Sequence, residues 1–595
     1  MRLKASTAIT SAVAPEITGL QKETAVADSK DLGQTTVPQD ESDREKNAVP
    51  VNDHNQEGVE RIEAITSTWS WQALATVLCF IYIFTFMQAL FSSATGQLAA
   101  YVTSSFHDHS LISTVSVLSS VIGGVAKFPI AKILDVRGRI EGFILMTVFC
   151  TLGLLLTASC TNVETYAAGQ VFYAIGSGGM SQCITIFLAD ITQLKNRMIA
   201  YGLNSTPYIA TTFAGPALAS RYLGGAGWRW AYGSFAIITP VVALPIITIF
   251  LWFQMQAKKT GALPVRATSG RTWWQSLAYY WVQFDGVGLF LVTAGFCILL
   301  VPFTLASTAT HRWNTGWIIA MIVVGCIVLV AFVIWEKYFA TAVMVPWRFL
   351  KDRTVLGSCI FAFFLYLTFY CWDLYYSSYL QVVHNLSVSK AGYVVNIYSI
   401  ISCFWGPIAG LFIRWTGRFK WLAIAAVPVS CLGTALMIYF RHPGAYIGYI
   451  CMCQVLISVS GGTLVMCEQI AIMAPVTHNE VAMVLALEGV FAAIGGSVGQ
   501  SISGAMWSNY MPQKLVEFLP ASEKANAMTI YGSLPEQLSY PWGSEARNAI
   551  IDAYGFTQRR MLIVAAALYP ITFFAVFMWR NINLNKIQQT RGTVF

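Results

Sequence analysis

Ala131-Lys132-Ile133-Leu134-Asp135-Val136-Arg137-Gly138-Arg139 closes one long apolar run and opens the next, and Gly410-Leu411-Phe412-Ile413-Arg414-Trp415-Thr416-Gly417-Arg418 does the same 279 residues later. Both are tight basic turns ending in Gly-Arg. A glycine lets so short a connection reverse direction, and an arginine there can meet the negative C-terminal end of the preceding helix. Two such turns at corresponding places are the mark of an internal repeat, which is how secondary transporters are built.

The surrounding chain supports a membrane reading. Of 595 residues, 56% are hydrophobic and only 11% charged. A soluble domain carries about 25% charged residues, so lipid must be the main solvent. Runs long enough to cross ~30 Å of hydrocarbon lie at 72–95, 110–133, 142–161, 164–188, 198–220, 231–255, 285–307, 316–339, 354–380, 389–413, 421–440, 445–472, 481–506 and 561–582. Continuous runs exclude a transmembrane barrel, whose strands alternate. Residues 1–67 differ: 12 acidic against 7 basic side chains and almost no aromatics predict a disordered tail. Basic residues such as Arg137, Arg139, Lys195, Arg197, Lys258, Lys259, Arg348 and Arg353 fall on one side of the predicted spans. That asymmetry puts both termini in the cytosol, and it accounts for the net charge of +8 without nucleic acid. The 13 cysteines all lie in or beside apolar runs, which is neither a disulfide framework nor a zinc ribbon.

The first turn resembles the Gly-x-x-x-Asp-Arg-x-Gly-Arg-Arg loop of the major facilitator superfamily. Asp135, Gly138 and Arg139 match; Ala131, Val136 and Ile140 depart from it. The turn with Gly417 and Arg418 is the weaker echo. The resemblance implies an all-α polytopic membrane protein of the major facilitator fold. It would have 14 transmembrane helices, as two six-helix halves plus a two-helix insert. The expected parts are a tail at 1–67, a first half at 68–256, a linker with the inserted helices at 257–345, a second half at 346–582 with a long outer loop at 507–560, and a cytosolic tail at 583–595. The marks of drug antiporters are incomplete: Gln170 stands where an arginine is usual, and Gly215-Pro216-Ala217-Leu218-Ala219-Ser220 keeps only half of the Gly-Pro-x-x-Gly-Gly motif.

Gly461-Gly462-Thr463-Leu464-Val465-Met466-Cys467-Glu468-Gln469, Gly495-Gly496-Ser497-Val498-Gly499, Tyr101-Val102-Thr103-Ser104-Ser105-Phe106, Ala189-Asp190-Ile191-Thr192 and Tyr540-Pro541-Trp542-Gly543-Ser544 are similar to the fungal siderophore–iron transporter family. This likeness runs from about residue 70 to 582. It implies proton-driven import of ferric siderophore, commonly of the hydroxamate type, by a monomer in the plasma membrane or an endosomal vesicle membrane. Relatives in that family also move glutathione or haem, so an exporter or exchanger of a small organic solute, such as a drug or glutathione, is the alternative.

Ionisable groups inside spans are costly and point to function. Lys127, Asp373, Glu468 and Glu488 are four such residues. Span counting puts Asp373 toward the outer side, Glu488 near mid-depth, and Glu468 and Lys127 toward the inner side. A carboxyl held out of water takes up a proton more readily, so Glu488, Glu468 and Asp373 are the proton-coupling candidates. A static ion pair such as Lys127 with Glu468 is the competing reading. Lys127, Asp135, Gly138, Arg139, Gly417 and Arg418 are the inner-gate candidates. Tyr366, Tyr370 and Asp373 share one helix face, and tyrosines suit a chelate with an apolar rim and many carbonyls. Substrate contacts are expected from Tyr370, Asp373, Tyr376, Asn204, Gln182 and Gln469. A lid formed by the outer loop would add Tyr540, Trp542 and Tyr554. His54, His107, His109, His311, His384, His442 and His478 lie in predicted loops or the tail, so no bare-metal path, resident metal or cofactor is expected. No phosphate-binding Gly-x-x-x-x-Gly-Lys-Ser/Thr loop is present, so an ion gradient must supply the energy, and no cluster of catalytic groups points to an enzyme.

Overall fold

Long apolar helices dominate the computed structural model, which describes residues 71–105, 112–259, 272–306, 312–343, 346–477 and 480–587. The expected tail at 1–67, most of the one at 583–595, and His54, His107, His109, His311 and His478 lie outside the described residues. All described residues belong to one contact-defined unit, Asp53–Phe595.

Thirteen helices among the described residues have the length and apolarity to cross a membrane. The fifth expected run differs. It is two helices, Leu194–Ser205 and Pro207–Gly224, and neither reaches that apolar standard. Asn204, Ser205, Thr206, Tyr208, Thr211 and Thr212 make the stretch polar, and Pro207 cannot donate the backbone bond that would continue the first helix.

The helix surfaces report their solvent. Along Gly316–Tyr338, Ile319, Val323, Ile327, Val330, Val333 and Ile334 are all exposed. An apolar face turned outward over a whole helix belongs in lipid, since a water-soluble protein rarely exposes so large a patch. At the other extreme, Val481–Phe518 is buried along most of its length and forms the axis against which the other helices pack.

Polar side chains mark several helix starts. The Asn162 side chain accepts from the Thr165 amide (2.8 Å), and Asp352 accepts from the Thr354 and Val355 amides. Thr272 and Gln275 form a reciprocal capping box at the head of Trp273–Gln283. Asp285, left-handed at φ 47°, caps Gly286–Leu305 through the Gly288 amide and accepts from the Trp335 indole (2.8 Å). That bond ties Gly286–Leu305 to Gly316–Tyr338, and Gly286–Leu305 packs on both Ile112–Val125 and Val481–Phe518.

Early and late parts of the chain meet along two seams. Ile112–Val125 and Lys127–Val136 pack on Val481–Phe518, while Leu194–Ser205 and Pro207–Gly224 pack on Val388–Val395 and Ile397–Thr416. At one end, Tyr101 donates to Gln381 (2.7 Å), Ser377 to Gln97 (2.8 Å) and Asn396 to Ser93 (3.1 Å). At the other, the Arg197 guanidinium is fully buried, donates to the Ala189 carbonyl (2.9 Å), and reaches the Met473 sulfur at 3.5 Å.

The expected loop at 507–560 is shorter than the sequence implied. The flanking helices run into it, to Phe518 on one side and from Glu545 on the other. Residues 515–518 and 546–554 belong to these long helices. Two short helices, Ala527–Gly532 and Leu534–Ser539, cover the connection. Their Ile530, Leu534 and Gln537 are fully buried, so the segment is a packed cap.

Gly495 and Gly499 set the spacing of the central helix against Arg353–Asp373. A methyl group at Gly499 would lie 2.5 Å from the Leu367 carbonyl oxygen, and one at Gly495 would strike the Phe363 backbone. Overpacking a close helix contact costs about 1–3 kcal/mol or more. Gly495→Leu is therefore expected to lower the thermal midpoint of the detergent-purified protein and to reduce its surface abundance; an unchanged midpoint would contradict this backbone contact.

Candidate functional site

A cavity of about 570 Å³ lies between the early and late helices, within the ~300–1,000 Å³ usual for small-molecule sites. Its wall on one side is small and polar: Ser119, Ser120, Gly123, Ser177, Gly178, Ser181 and Gln182. Across from them stand Tyr366, Tyr370, Gln469, Glu488 and Gly489. The rings of Tyr366 and Tyr370 stack at 6.5 Å between centroids, which offers a flat aromatic surface with two hydroxyls.

Lys127 is the single cation among the described residues that line it. It follows a helix break at Ala126, where Pro129 cannot donate to the Val125 carbonyl. Gln182 donates to the Lys127 carbonyl (3.3 Å). The lysine side chain lies across Gly489: a methyl group there would come within 2.6 Å of Lys127 Cδ. That leaves its ammonium in the field of both Glu488 and Glu468. Glu468 is wholly buried behind the wall. Its carboxyl sits against that of Glu488, and among the described residues neither oxygen meets a donor in hydrogen-bonding geometry. Two carboxyls and one ammonium sharing a buried site form a unit that can change charge by binding a proton.

Glu488 stands seven residues from the start of Val481–Phe518, about 10 Å along the helix. It shares one level of the fold with Lys127 and Glu468. Lys127 accordingly belongs to the cavity wall and not with the turn at 135–139. Asp373 is one turn beyond Tyr370, does not line the cavity, and faces Arg441.

The turn residues form a separate cluster. Arg139 bridges Asp135 (2.7 Å) and Asp190 (3.2 Å), all three largely buried. It thus links three helices in place of capping the preceding C-terminus. Gly138 has φ 121°, which only glycine adopts freely. The echo is incomplete. Gly417 is left-handed at φ 64° and accepts from the Leu584 amide (3.0 Å), but the Arg418 side chain is exposed and makes no ion pair among the described residues. Lys420 instead holds the end of Glu545–Met578 through the carbonyls of Phe577 (2.9 Å) and Trp579 (2.6 Å).

Of the other expected contacts, Gln182, Gln469 and Tyr370 line the cavity. Asn204 accepts from Thr85 (3.2 Å) outside it. Tyr376 is buried beneath Arg441, whose guanidinium lies 4.0 Å from its ring, 4.9 Å from that of Tyr379 and 5.2 Å from that of Trp372. Tyr554 is buried and donates to Gln537 (2.7 Å), a contact internal to the cap. Tyr540 donates to Glu523 (2.9 Å), and Trp542 is exposed. Among the described residues no group of three His, Cys, Asp or Glu could hold a metal ion.

Sequence reasoning missed the Arg441 cage, because a cation beside a proline turn reads as a loop residue. Burial, and then Arg441, push the neighbouring His384 imidazole down to about 4. A folded value below the unfolded ~6.5 means that the unfolded chain binds the proton first. The contribution of His384 to stability is complete above about pH 6.5 and declines as the pH falls toward 4. His384→Gln should lose less thermal stability than the parent over that window; parallel pH profiles would contradict it.

A polytopic helical bundle with a polar chamber between its early and late helices defines a membrane transporter. Its fold is similar to that of a bacterial homologue of the human lysosomal transporter Spinster in an inward-facing, unoccupied conformation (TM-score 0.52, 15% identity, covering 86% of this chain and 98% of that one). The Major Facilitator Superfamily profile matches residues 78–500. At the level of sequence, the chain is 47% identical to "MFS siderochrome iron transporter 1" of Ajellomyces capsulatus, over 91% of this chain and 92% of that protein. It is 41% identical to "Siderophore iron transporter mirB" of Emericella nidulans, over 96% and 94% respectively. The chain belongs to the fungal siderophore–iron transporter family of the major facilitator superfamily, a family of transporters and not of enzymes.

Proposed function

We propose that this protein imports ferric siderophore, of the hydroxamate type, together with protons. The observation that carries this reading is the 570 Å³ chamber with Lys127 and Glu488 in its wall and Glu468 behind it. A chelate's apolar rim can rest on Tyr366 and Tyr370 while its oxygens meet Gln182, Gln469 and the serines. When Glu488 carries a proton, Lys127 loses one of its two carboxylate partners and can turn to meet those oxygens. When the proton leaves, Lys127 returns to Glu488 and the substrate loses its cation. This alternation couples the two fluxes in one direction.

The same reading takes the segment 194–224 as a fourteenth crossing. It divides the chain into a first half at 68–256, a linker and inserted pair at 257–345, and a second half at 346–582. Lys and Arg at the Arg139 end put that end, and both termini, in the cytosol of a plasma or endosomal membrane. The protein acts as a monomer, since each chain has its own chamber. Asp135, Gly138, Arg139, Gly417 and Arg418 serve the inner gate, while Trp542 and Tyr540 stand at the outer mouth.

Uptake of iron-loaded hydroxamates by cells lacking other importers tests the proposal. Accumulation should collapse when a protonophore is added. Uptake that persists undiminished would remove proton coupling, and no uptake of any ferric chelate would remove the substrate class.

A further inference from the structure

A second cavity, of about 620 Å³, shares none of its described lining residues with the chamber. Three segments build it. His442 and Pro443 come from the turn after Lys420–Phe440, Met506 and Tyr510 from Val481–Phe518, and Arg559, Arg560, Ile563 and Val564 from Glu545–Met578. Gly555 makes the arrangement possible: a side chain there would lie 2.6 Å from Pro443 Cδ, so only glycine lets the turn close over the helix.

Charge and apolarity are separated within it. Arg559 and Arg560 are adjacent and exposed, and neither makes an ion pair among the described residues. The Arg560 guanidinium is held 4.7 Å from the Phe556 ring and 5.2 Å from the Tyr510 ring. The Lys514 ammonium, paired with Glu517 at 2.6 Å, lies 4.6 Å from the same Phe556 ring. One turn further along the helix the wall is Ile563 and Val564, and the exposed stripe continues through Ile571 and Phe574.

Depth explains the division. Residues 561–578 complete the helix, and eighteen residues span about 27 Å, close to the ~30 Å hydrocarbon thickness. The two arginines therefore stand at headgroup level, and the apolar stripe lies along the acyl chains.

We infer that this cavity is a binding site for an anionic glycerophospholipid, with the phosphate and headgroup carboxylate on Arg559 and Arg560 and an acyl chain along Ile563, Ile571 and Phe574. A zwitterionic lipid would bring an ammonium into the same cationic rim. The site is independent of the transport reading, since none of its residues lines the chamber.

The test is native mass spectrometry of the full chain released from nanodiscs of phosphatidylcholine with or without phosphatidylserine, alongside thermal midpoints. Each basic residue near an anionic headgroup favours binding about fivefold, so wild type should retain phosphatidylserine over phosphatidylcholine by roughly 30-fold. Arg559→Gln/Arg560→Gln should fall to near parity, and Arg559→Lys/Arg560→Lys should keep most of the preference. Midpoints in pure phosphatidylcholine check that the variants fold. Equal retention of the two lipids by wild type overturns the inference without recourse to any variant. So does a preference that survives in the glutamine pair. Inorganic phosphate that protects wild type as well as phosphatidylserine does would make this a free-anion site and overturn it too.

Discussion

Glu488→Gln should abolish uphill accumulation of ferric siderophore while leaving exchange of substrate across the membrane. Glutamine keeps the size of the side chain and its place in the chamber wall, but it cannot bind and release a proton. One charge moving down 100 mV is worth about 2.3 kcal/mol, and one pH unit adds about 1.4 kcal/mol. Together these support a gradient of a few hundredfold for one proton. The variant's ratio of internal to external substrate should fall to about one, with labelled substrate still exchanging. Glu468→Gln distinguishes the two acids. If Glu468 only supports Glu488, its loss should shift the pH dependence of uptake and leave accumulation in place. Full accumulation by Glu488→Gln would remove this residue from coupling and leave the Lys127 cluster as a static structural pair.

Arg139→Gln is the change expected to damage the fold most. Its guanidinium joins Asp135 and Asp190, and all three side chains are nearly out of water. Removing one partner from a buried ion cluster leaves uncompensated charge and costs about 3–5 kcal/mol. That is a large share of the ~5–15 kcal/mol by which proteins are stable. The purified variant should melt well below the parent and reach the cell surface poorly. Adding Asp135→Asn and Asp190→Asn should recover part of the loss, because the orphaned charges go with the arginine. A midpoint equal to that of the parent would mean that the cluster contributes nothing.

The equivalent substitution in the second turn should cost little stability. Arg418 is exposed and unpaired among the described residues, so its replacement by glutamine falls among surface changes of about 0.5 kcal/mol or less. The repeat is legible as sequence, but the anchoring role of its second copy has moved to Lys420, which binds backbone carbonyls at the end of the last long helix.

Composition and run length alone established a helical membrane protein, because the cost of an unmet backbone amide or an isolated charge in hydrocarbon acts on each segment separately. The turn at 131–139 and the glycine-rich stretches carried the family for the same local reason: they are contiguous in the chain. What the sequence did not settle was which face of each helix looks inward. In a soluble helix the apolar stripe marks the core, but here lipid and core are both apolar, so the pattern is silent. Tertiary structure alone brought Lys127, Glu468 and Glu488 from three helices to one depth, put Tyr370, Gln182 and Gln469 in the chamber wall, and drew Tyr376 and Tyr554 into the packed core. It also extended the flanking helices to Phe518 and from Glu545, and burial of Ile530, Leu534 and Gln537 between them turned an expected loop into a folded cap.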